Sequence, residues 1–249
     1  MRTVVIVQAR MSSSRFPGKV LHELCGKPMI RQQLSRLQRS QRHSEIVIAT
    51  TDQTVDDRIV SWAQKENLRC LRGSTEDVLA RYIMAAKATQ AEVIVRITAD
   101  CPLVDPIILD TVVTELIDHQ YDCDYASNVL RRTYPRGLDV EAFFADTLFR
   151  MSRYAVTNEE REHVTVVVRG AKRELFATRS IEDTSDNSDL RWTVDTEQDF
   201  KLIEKIWGGL QLNTNVVSYR EILAYVRSHP ELSAGVDTGM TWDPNSRTS

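Results

Sequence analysis

A chain of 249 residues, 42% hydrophobic and 27% charged, has the apolar material for one large α/β domain or a core domain with a small lobe. Its formal net charge of -3 lacks the basic excess of a nucleic-acid binder, so no nucleic-acid partner is expected. Cys25, Cys70, Cys101 and Cys123 form no Cys-x-x-Cys pair and have no histidine at zinc-ligand spacing; free thiols in a reducing cytoplasm are expected.

The first apolar run, residues 4–7, is too short for a signal peptide or a membrane span. It reads as a buried first strand, and no membrane partner is expected. A polar loop from Gln8 to Lys19 follows. Pro28 then opens a helix to about Arg39, with Met29, Ile30, Leu34 and Leu37 on one face. Residues 45–49 form strand two. Residues 54–66 read as a helix that turns Val55, Ile59, Val60 and Ala63 inward, and 68–71 as a weaker strand. Ser74 is the expected cap of a helix reaching about Gln90, with Asp77 three residues on. Residues 93–97 are the next strand. The helix after Pro106, with Asp105 as its cap, is expected to bury Ile107, Ile108, Val112, Val113 and Leu116.

Strands alternating with helices predict a Rossmann-like, doubly wound, mostly parallel sheet. Beyond Tyr121 the pattern loosens. Leu138, Val140 and Ala142 alternate with Asp139 and Glu141 as a strand would, a helix begins near Thr157, and 175–178 reads as a strand. The segment 132–176 is expected to form a small α+β lobe over the sheet. Helices at 196–207 and 218–227 complete a single domain over 1–230, and a loose tail is expected at 231–249.

Ligands of such sheets bind beyond the carboxyl ends of the strands. The first end carries Ala9-Arg10-Met11-Ser12-Ser13-Ser14-Arg15-Phe16-Pro17-Gly18-Lys19. Its three cations, its hydroxyls and its turn-forming Pro-Gly suit a polyphosphate, against the alternative of a solvated basic loop. Neither a P-loop nor a Gly-x-Gly-x-x-Gly dinucleotide motif is present. The fourth strand ends in Thr98-Ala99-Asp100, which places a carboxylate where it can hold Mg²⁺ against a phosphate; a turn or capping aspartate is the alternative. Asp195 sits in the same way between an apolar stretch and a helix, where N-capping competes.

The run Val7-Gln8-Ala9-Arg10-Met11 through Arg15-Phe16-Pro17-Gly18-Lys19 resembles the N-terminal signature of the cytidylyltransferases that make CMP-activated sugars. These include CMP-KDO and acylneuraminate synthetases, and the SpsF-like branch of polysaccharide biosynthesis is the most similar. Ala49-Thr50-Thr51-Asp52, Thr98-Ala99-Asp100-Cys101-Pro102-Leu103, Asp124-Tyr125-Ala126-Ser127-Asn128, Gly137-Leu138-Asp139-Val140-Glu141, Arg161-Glu162-His163-Val164-Thr165 and Asp195-Thr196-Glu197-Gln198-Asp199 follow in the family's order.

The resemblance implies a nucleotidyltransferase that uses CTP and Mg²⁺, acts on a small sugar acid and forms a homodimer. It implies that Arg10, Arg15 and Lys19 grip the triphosphate and that Asp100 and Asp195 bind the metal. Ala9, Met11, Ser12, Ser13 and Thr98 would complete the nucleotide site, the base being read partly by backbone groups near Ala9. Segment 132–176 would serve the sugar pocket or the dimer contact. Arg136, Asp139, Glu141 and His163 are its polar candidates for sugar binding; the outward face of an edge strand is the alternative for Asp139 and Glu141, and packing among valines for His163. Ser12 stands where the family usually has Gly, so a changed loop path or weaker triphosphate binding is expected.

The expected chemistry is in-line attack of a sugar hydroxyl on the α-phosphate, driven by positioning and electrostatics. Two rivals remain at this level. Asp122-Cys123-Asp124 fits the Asp-x-Asp motif of a GT-A-type glycosyltransferase. A catalytically inactive nucleotide-binding domain is the other.

Overall fold

The structure, a computed structural model, describes residues 1–232. In chain order the elements are β1 (Thr3–Gln8), the short hairpin β2 (Glu23–Leu24) and β3 (Lys27–Pro28), α1 (Met29–Leu37), β4 (Glu45–Thr51), α2 (Asp57–Lys65), β5 (Arg69–Gly73), α3 (Val78–Thr89), β6 (Val93–Thr98) and α4 (Pro106–Asp118). Then come β7 (Tyr125–Ser127), β8 (Glu141–Phe144), α5 (Ala145–Tyr154), α6 (Asn158–Glu162), α7 (Val166–Arg169), β9 (Thr178–Ser180), α8 (Glu197–Gly209) and α9 (Tyr219–Ser228).

Seven strands form one sheet in the order β5-β4-β1-β6-β8-β7-β9. All pairs are parallel except those of β8, which runs against both β6 and β7. The β-branched run of β1 is buried on both faces, as a central parallel strand requires. Val5 and Val7 join the cluster under α1, α4 and α8, whereas Val4 and Ile6 join the cluster under α3, α5 and α7. Segment 132–176 supplies β8 to the interior of this sheet and α5, α6 and α7 beside it.

Because β1, β4, β5 and β6 are parallel and in register, Gln8, Thr51, Gly73 and Thr98 end at one edge of the sheet. The loops that follow them converge there. The loop after β6 is held from below: Gln33 Nε2 on α1 donates to Thr98 O at 2.8 Å and to Cys101 O at 2.9 Å. Asp105 caps α4 as expected, accepting from the amides of Ile107 and Ile108. Thr196 and Ser218 open α8 and α9 with reciprocal capping boxes, so Thr196 and not Asp195 is the cap of α8, and Asp195, just before it, is held by its amide on the Asp199 carboxylate.

Several sequence expectations are corrected. The cap of α3 is Asp77, whose carboxylate accepts from Ala80 N; Ser74 instead accepts from Asp77 N, one turn earlier. Val55 and Ile107 are 49% and 64% exposed, because each lies in a first turn facing solvent. The strand expected at 175–178 begins at Thr178, after a single 3-10 turn over Arg173–Leu175. The strand through Asp139 begins only at Glu141 and lies between β6 and β7, so Glu141 is buried rather than outward. The tail expected beyond Leu232 lies outside the described residues. Among the described residues no helix is long and apolar enough to cross a membrane.

Candidate active site

A cavity of about 240 Å³ opens at the edge where β1 and β6 end. Gln8, Ala9 and Arg10 form one wall, Ser12, Ser13, Ser14 and Arg15 the rim, and Thr98, Asp100 and Asp195 the acidic side, with Lys19 between them. The basic loop is built to fold back on itself. Gly18, at φ 75°, donates its amide to Met11 O at 2.9 Å, closing the loop. Met11 N donates to the buried Asp56 carboxylate at 2.6 Å, and Asp56 also accepts from the Thr51 hydroxyl. The first and second strand ends are thereby tied together.

Lys19 is the hub. Its ammonium donates to Val194 O at 2.6 Å and to Asp195 Oδ1 at 3.1 Å, and lies 3.7 Å from Asp100 Oδ2. Its side chain is 10% exposed, so these contacts are little screened. Arg15 Nη2 lies 3.1 Å from Asp195 Oδ2, and Arg191 Nη2 lies 2.5 Å from the same oxygen. Burial raises the pKa of Asp195, but Lys19, Arg15 and Arg191 together outweigh it and hold the carboxyl below its usual range. Asp100 Oδ1 accepts from Thr98 Oγ1 at 2.6 Å, and Asp100 O accepts from Val194 N at 2.8 Å. The two acid-bearing segments, 94 or more residues apart in the chain, therefore share a backbone bond and a lysine. Arg10 reaches the cavity wall and makes no ion pair among the described residues.

The structure thus brings together Ala9, Arg10, Ser12, Ser13, Arg15, Lys19, Thr98, Asp100 and Asp195. Met11 is different: its side chain is buried in the core, and a Cβ on Gly18 would lie 3.2 Å from its terminal methyl. Ser12 is not among the residues with positive φ, so the loop path here does not need glycine at that position. Arg191 and Asp56 were not singled out in the sequence. Their signal was the pairing of strand ends in space, which linear spacing does not carry.

Arg136 and Asp139 lie at the same edge. Arg136 pairs through its backbone with the 190–192 segment, accepting from Trp192 N at 2.6 Å and donating to Leu190 O at 2.9 Å. Gly137, at φ 101°, follows because a Cβ there would lie 2.6 Å from Trp192 C. Asp139 is held by both prongs of Arg132, at 2.7 and 2.9 Å. Asn128 brackets this loop, donating to Leu138 O and accepting from Val140 N. Burial lowers the pKa of Arg136, as do the neighbouring cations Arg132 and Arg191, while Asp139 raises it.

Glu141 and His163 do not face the cavity. Glu141 is 3% exposed, ion-paired with Arg96, and accepts from Tyr125 Oη at 2.6 Å. Burial opposes its ionisation, yet Arg96 and Arg169 hold its pKa down at about 2. It is a structural ion-pair partner, because β8 is an inner strand. His163 is an exposed residue ending α6; neither the packed nor the lining position applies. In the same motif, Arg161 joins α6 to the Asp77 cap of α3 at 2.5 Å.

The Asp-x-Asp candidate sits at the other end of the sheet. Register places Tyr125 beside Phe143, and Phe144 beside Val93, the start of β6. Asp124 there binds Arg150 at 2.5 Å and Ala177 N at 2.9 Å, while Asp122 is exposed. The geometry contradicts its use with the cavity.

The profile of the cytidylyltransferase family matches residues 4–218. The chain belongs to the cytidylyltransferase family. It is 31% identical over 233 residues to the spore coat polysaccharide biosynthesis protein SpsF of Bacillus subtilis, covering 91% of this chain and 94% of that protein. It is also 31% identical over 117 residues to the 3-deoxy-manno-octulosonate cytidylyltransferase of Geobacter metallireducens, 47% of this chain and 45% of that one. A cytidylyltransferase structure from Leptospira borgpetersenii superposes with a TM-score of 0.88 at 29% identity, over 97% of this chain and 98% of that one. The structure of a CMP:2-keto-3-deoxy-manno-octonic acid synthetase complexed with CTP has the same fold, with a TM-score of 0.63 at 18% identity, over 84% and 99% of the two chains. This cytidylyltransferase is therefore a nucleotidyltransferase on a Rossmann-like sheet.

Proposed function

We propose that this enzyme transfers CMP from CTP to a sugar acid of the KDO or nonulosonate kind and releases pyrophosphate. The observation that carries the reading is Lys19, flanked by Asp100 and Asp195 and joined by Arg15 at the mouth of one cavity. Arg136 supports an anionic acceptor: it is a half-buried cation beside Arg132 and Arg191, and among the described residues it makes no ion pair of its own. A carboxylate offers a guanidinium two parallel acceptors.

The donor set fits Mg²⁺. That ion takes one or two carboxylates and completes its shell with phosphate oxygens and water. Asp100 and Asp195 face one cavity, and Thr98 fixes Asp100 in orientation. Asp195 already meets three cations, which makes Asp100 the principal ligand. When bound, the ion would polarise the α-phosphate and neutralise developing charge. Arg10 and Arg15 would hold the β- and γ-phosphates, and Lys19 would fix the two acids relative to the loop. The acceptor hydroxyl oxygen forms its bond to the α-phosphorus as the bond to the bridging oxygen of pyrophosphate breaks.

A pyrophosphate-release screen tests this: four nucleoside triphosphates against KDO, sialic, legionaminic and pseudaminic acids and common sugar phosphates, with and without Mg²⁺. Release with CTP, Mg²⁺ and a sugar acid is expected. Release with sugar phosphates alone, or a nucleoside diphosphate liberated from a sugar nucleotide, would refute it.

A further inference from the structure

The basic loop is closed at a neck, and the neck is Met11. Gly18 N donates to Met11 O at 2.9 Å, and Met11 N donates to Asp56 Oδ1 at 2.6 Å. The Met11 side chain is sunk in the core, where a Cβ on Gly18 would lie 3.2 Å from its terminal methyl. The peptide groups on both sides of Met11 are therefore tied down.

Beyond the neck, the amides of Ser12, Ser13, Ser14 and Arg15 make no hydrogen bond among the described residues. All four residues line the cavity. Successive unpaired amides in a turn form a cradle for an anion. The loop braces itself weakly: Phe16 N reaches Ser13 Oγ at 3.4 Å, and Lys19 N reaches Phe16 O at 3.3 Å. Its shape is set from outside.

Asp56 is that outside brace. It is 0% exposed and ends the 3-10 turn Thr54–Asp56 that follows β4. Thr51, the last residue of β4, donates to Asp56 Oδ2 from its hydroxyl and, at 3.3 Å, from its amide. The other oxygen takes Met11 N, so the end of β4 fixes the neck of the loop through one carboxylate. A buried carboxylate is costly unless donors surround it, and its bond to a backbone amide is roughly twice as strong as a neutral one. The charge is also answered from α3. Arg81 is 1% exposed, lacks a hydrogen bond at Nε, Nη1 and Nη2, and lies in the field of Asp56 and Asp52.

We propose that Asp56 is a positioning residue for phosphate capture: by holding the Met11 amide it keeps Ser12, Ser13, Ser14 and Arg15 turned to the cavity. The inference rests on the cytidylyltransfer reading above. Asp56 touches no substrate in this assignment and acts through Met11. The sign of its effect sets it apart. Deleting a negative charge near the cavity strengthens anion binding by Coulomb's law, whereas releasing the neck weakens it.

The test compares wild type, Asp56→Leu and Asp56→Asn. Tripolyphosphate affinity is measured by calorimetry, and KM is measured for CTP and for the sugar acid accepted in the screen above. Asp56→Leu should weaken tripolyphosphate binding by the folded protein about 10- to 100-fold and raise the CTP KM by a similar factor, with the acceptor KM within about twofold of wild type. Asp56→Asn keeps an oxygen for Met11 N and should restore most of the affinity. Amide hydrogen exchange on the wild type supplies a measurement that no variant can spoil by misfolding. Met11 should be protected well above Ser12, Ser13 and Ser14 in the free protein, and tripolyphosphate should slow those three. A Met11 amide that exchanges as fast as they do overturns the inference. So does Asp56→Leu with a lowered Tm but wild-type tripolyphosphate affinity, or tighter binding in both variants. A wild type that binds neither tripolyphosphate nor CTP overturns the parent reading as well; one that binds both, with Asp56→Leu binding equally well, overturns this inference alone.

Discussion

Lys19 Nζ lies 3.1 Å from Asp195 Oδ1, across 176 positions of sequence. That contact joins the first loop of the chain to the segment that opens α8, and the same ammonium faces Asp100 at 3.7 Å. It is the point at which the basic loop and the two acids become one site.

Removing the amine should therefore harm both function and fold. Lys19→Met leaves Val194 O and Asp195 without their buried donor. The expected loss is about 2 kcal/mol of stability, read by urea denaturation, together with a fall in kcat/KM of at least roughly a hundredfold. An unchanged denaturation midpoint would show that the contact is not formed in solution.

Asp100→Asn keeps the Thr98 contact and removes the charge. Turnover should fall roughly a hundredfold or more, with a higher Mg²⁺ concentration needed for half-maximal rate, while the melting temperature stays near wild type. Wild-type metal dependence in this variant would remove Asp100 from the ligand set.

Arg136→Met should raise the KM for the acceptor about tenfold or more and leave the KM for CTP alone, because the residue is assigned to the acceptor's carboxylate. Equal effects on both constants would move Arg136 to the nucleotide side. By contrast, Asp122→Ala should leave both constants within about twofold of wild type, since this exposed residue makes only a 4.0 Å surface contact with Arg179.

Glu141 predicts an acid-stability limit. Its folded-state pKa of about 2 is below the ordinary 4.5, so its carboxylate stabilises the fold fully above about pH 4.5. That contribution, about 3 kcal/mol, is lost as the pH falls from 4.5 towards 2. Glu141→Gln should cost on the order of 3 kcal/mol at neutral pH and flatten this part of the pH profile, by leaving Arg96 buried without its counter-ion. Acceptor KM measured on the folded fraction should not change. A selective rise in that KM would restore Glu141 to the sugar pocket.

The sequence was most readable where local chemistry decides the outcome. β-branched runs marked β1, β4 and β6, and Asp105 before Pro106 marked the start of α4. The basic loop, Asp100 and Asp195 were legible because each follows or precedes a readable element. What failed depended on partners distant in the chain. Glu141 looked outward only while β8 was taken for an edge strand, and the three-residue β7 beside it gives no periodic signal. Arg81 carries no sequence signal, since nothing in α3 alone shows that its guanidinium is buried and unpartnered. Met11 is expected in the nucleotide site with its loop neighbours, but its side chain joins the core while its amide and carbonyl tie the loop to Asp56 and Gly18, contacts that linear spacing does not carry.

The most direct test of the site is a crystal structure of the enzyme with CTP and Mg²⁺. The β- and γ-phosphates should lie against Arg10 and Arg15, with the metal about 2.1 Å from an oxygen of Asp100. A triphosphate bound elsewhere, or a metal that leaves both Asp100 and Asp195 uncoordinated beside Lys19, would contradict it.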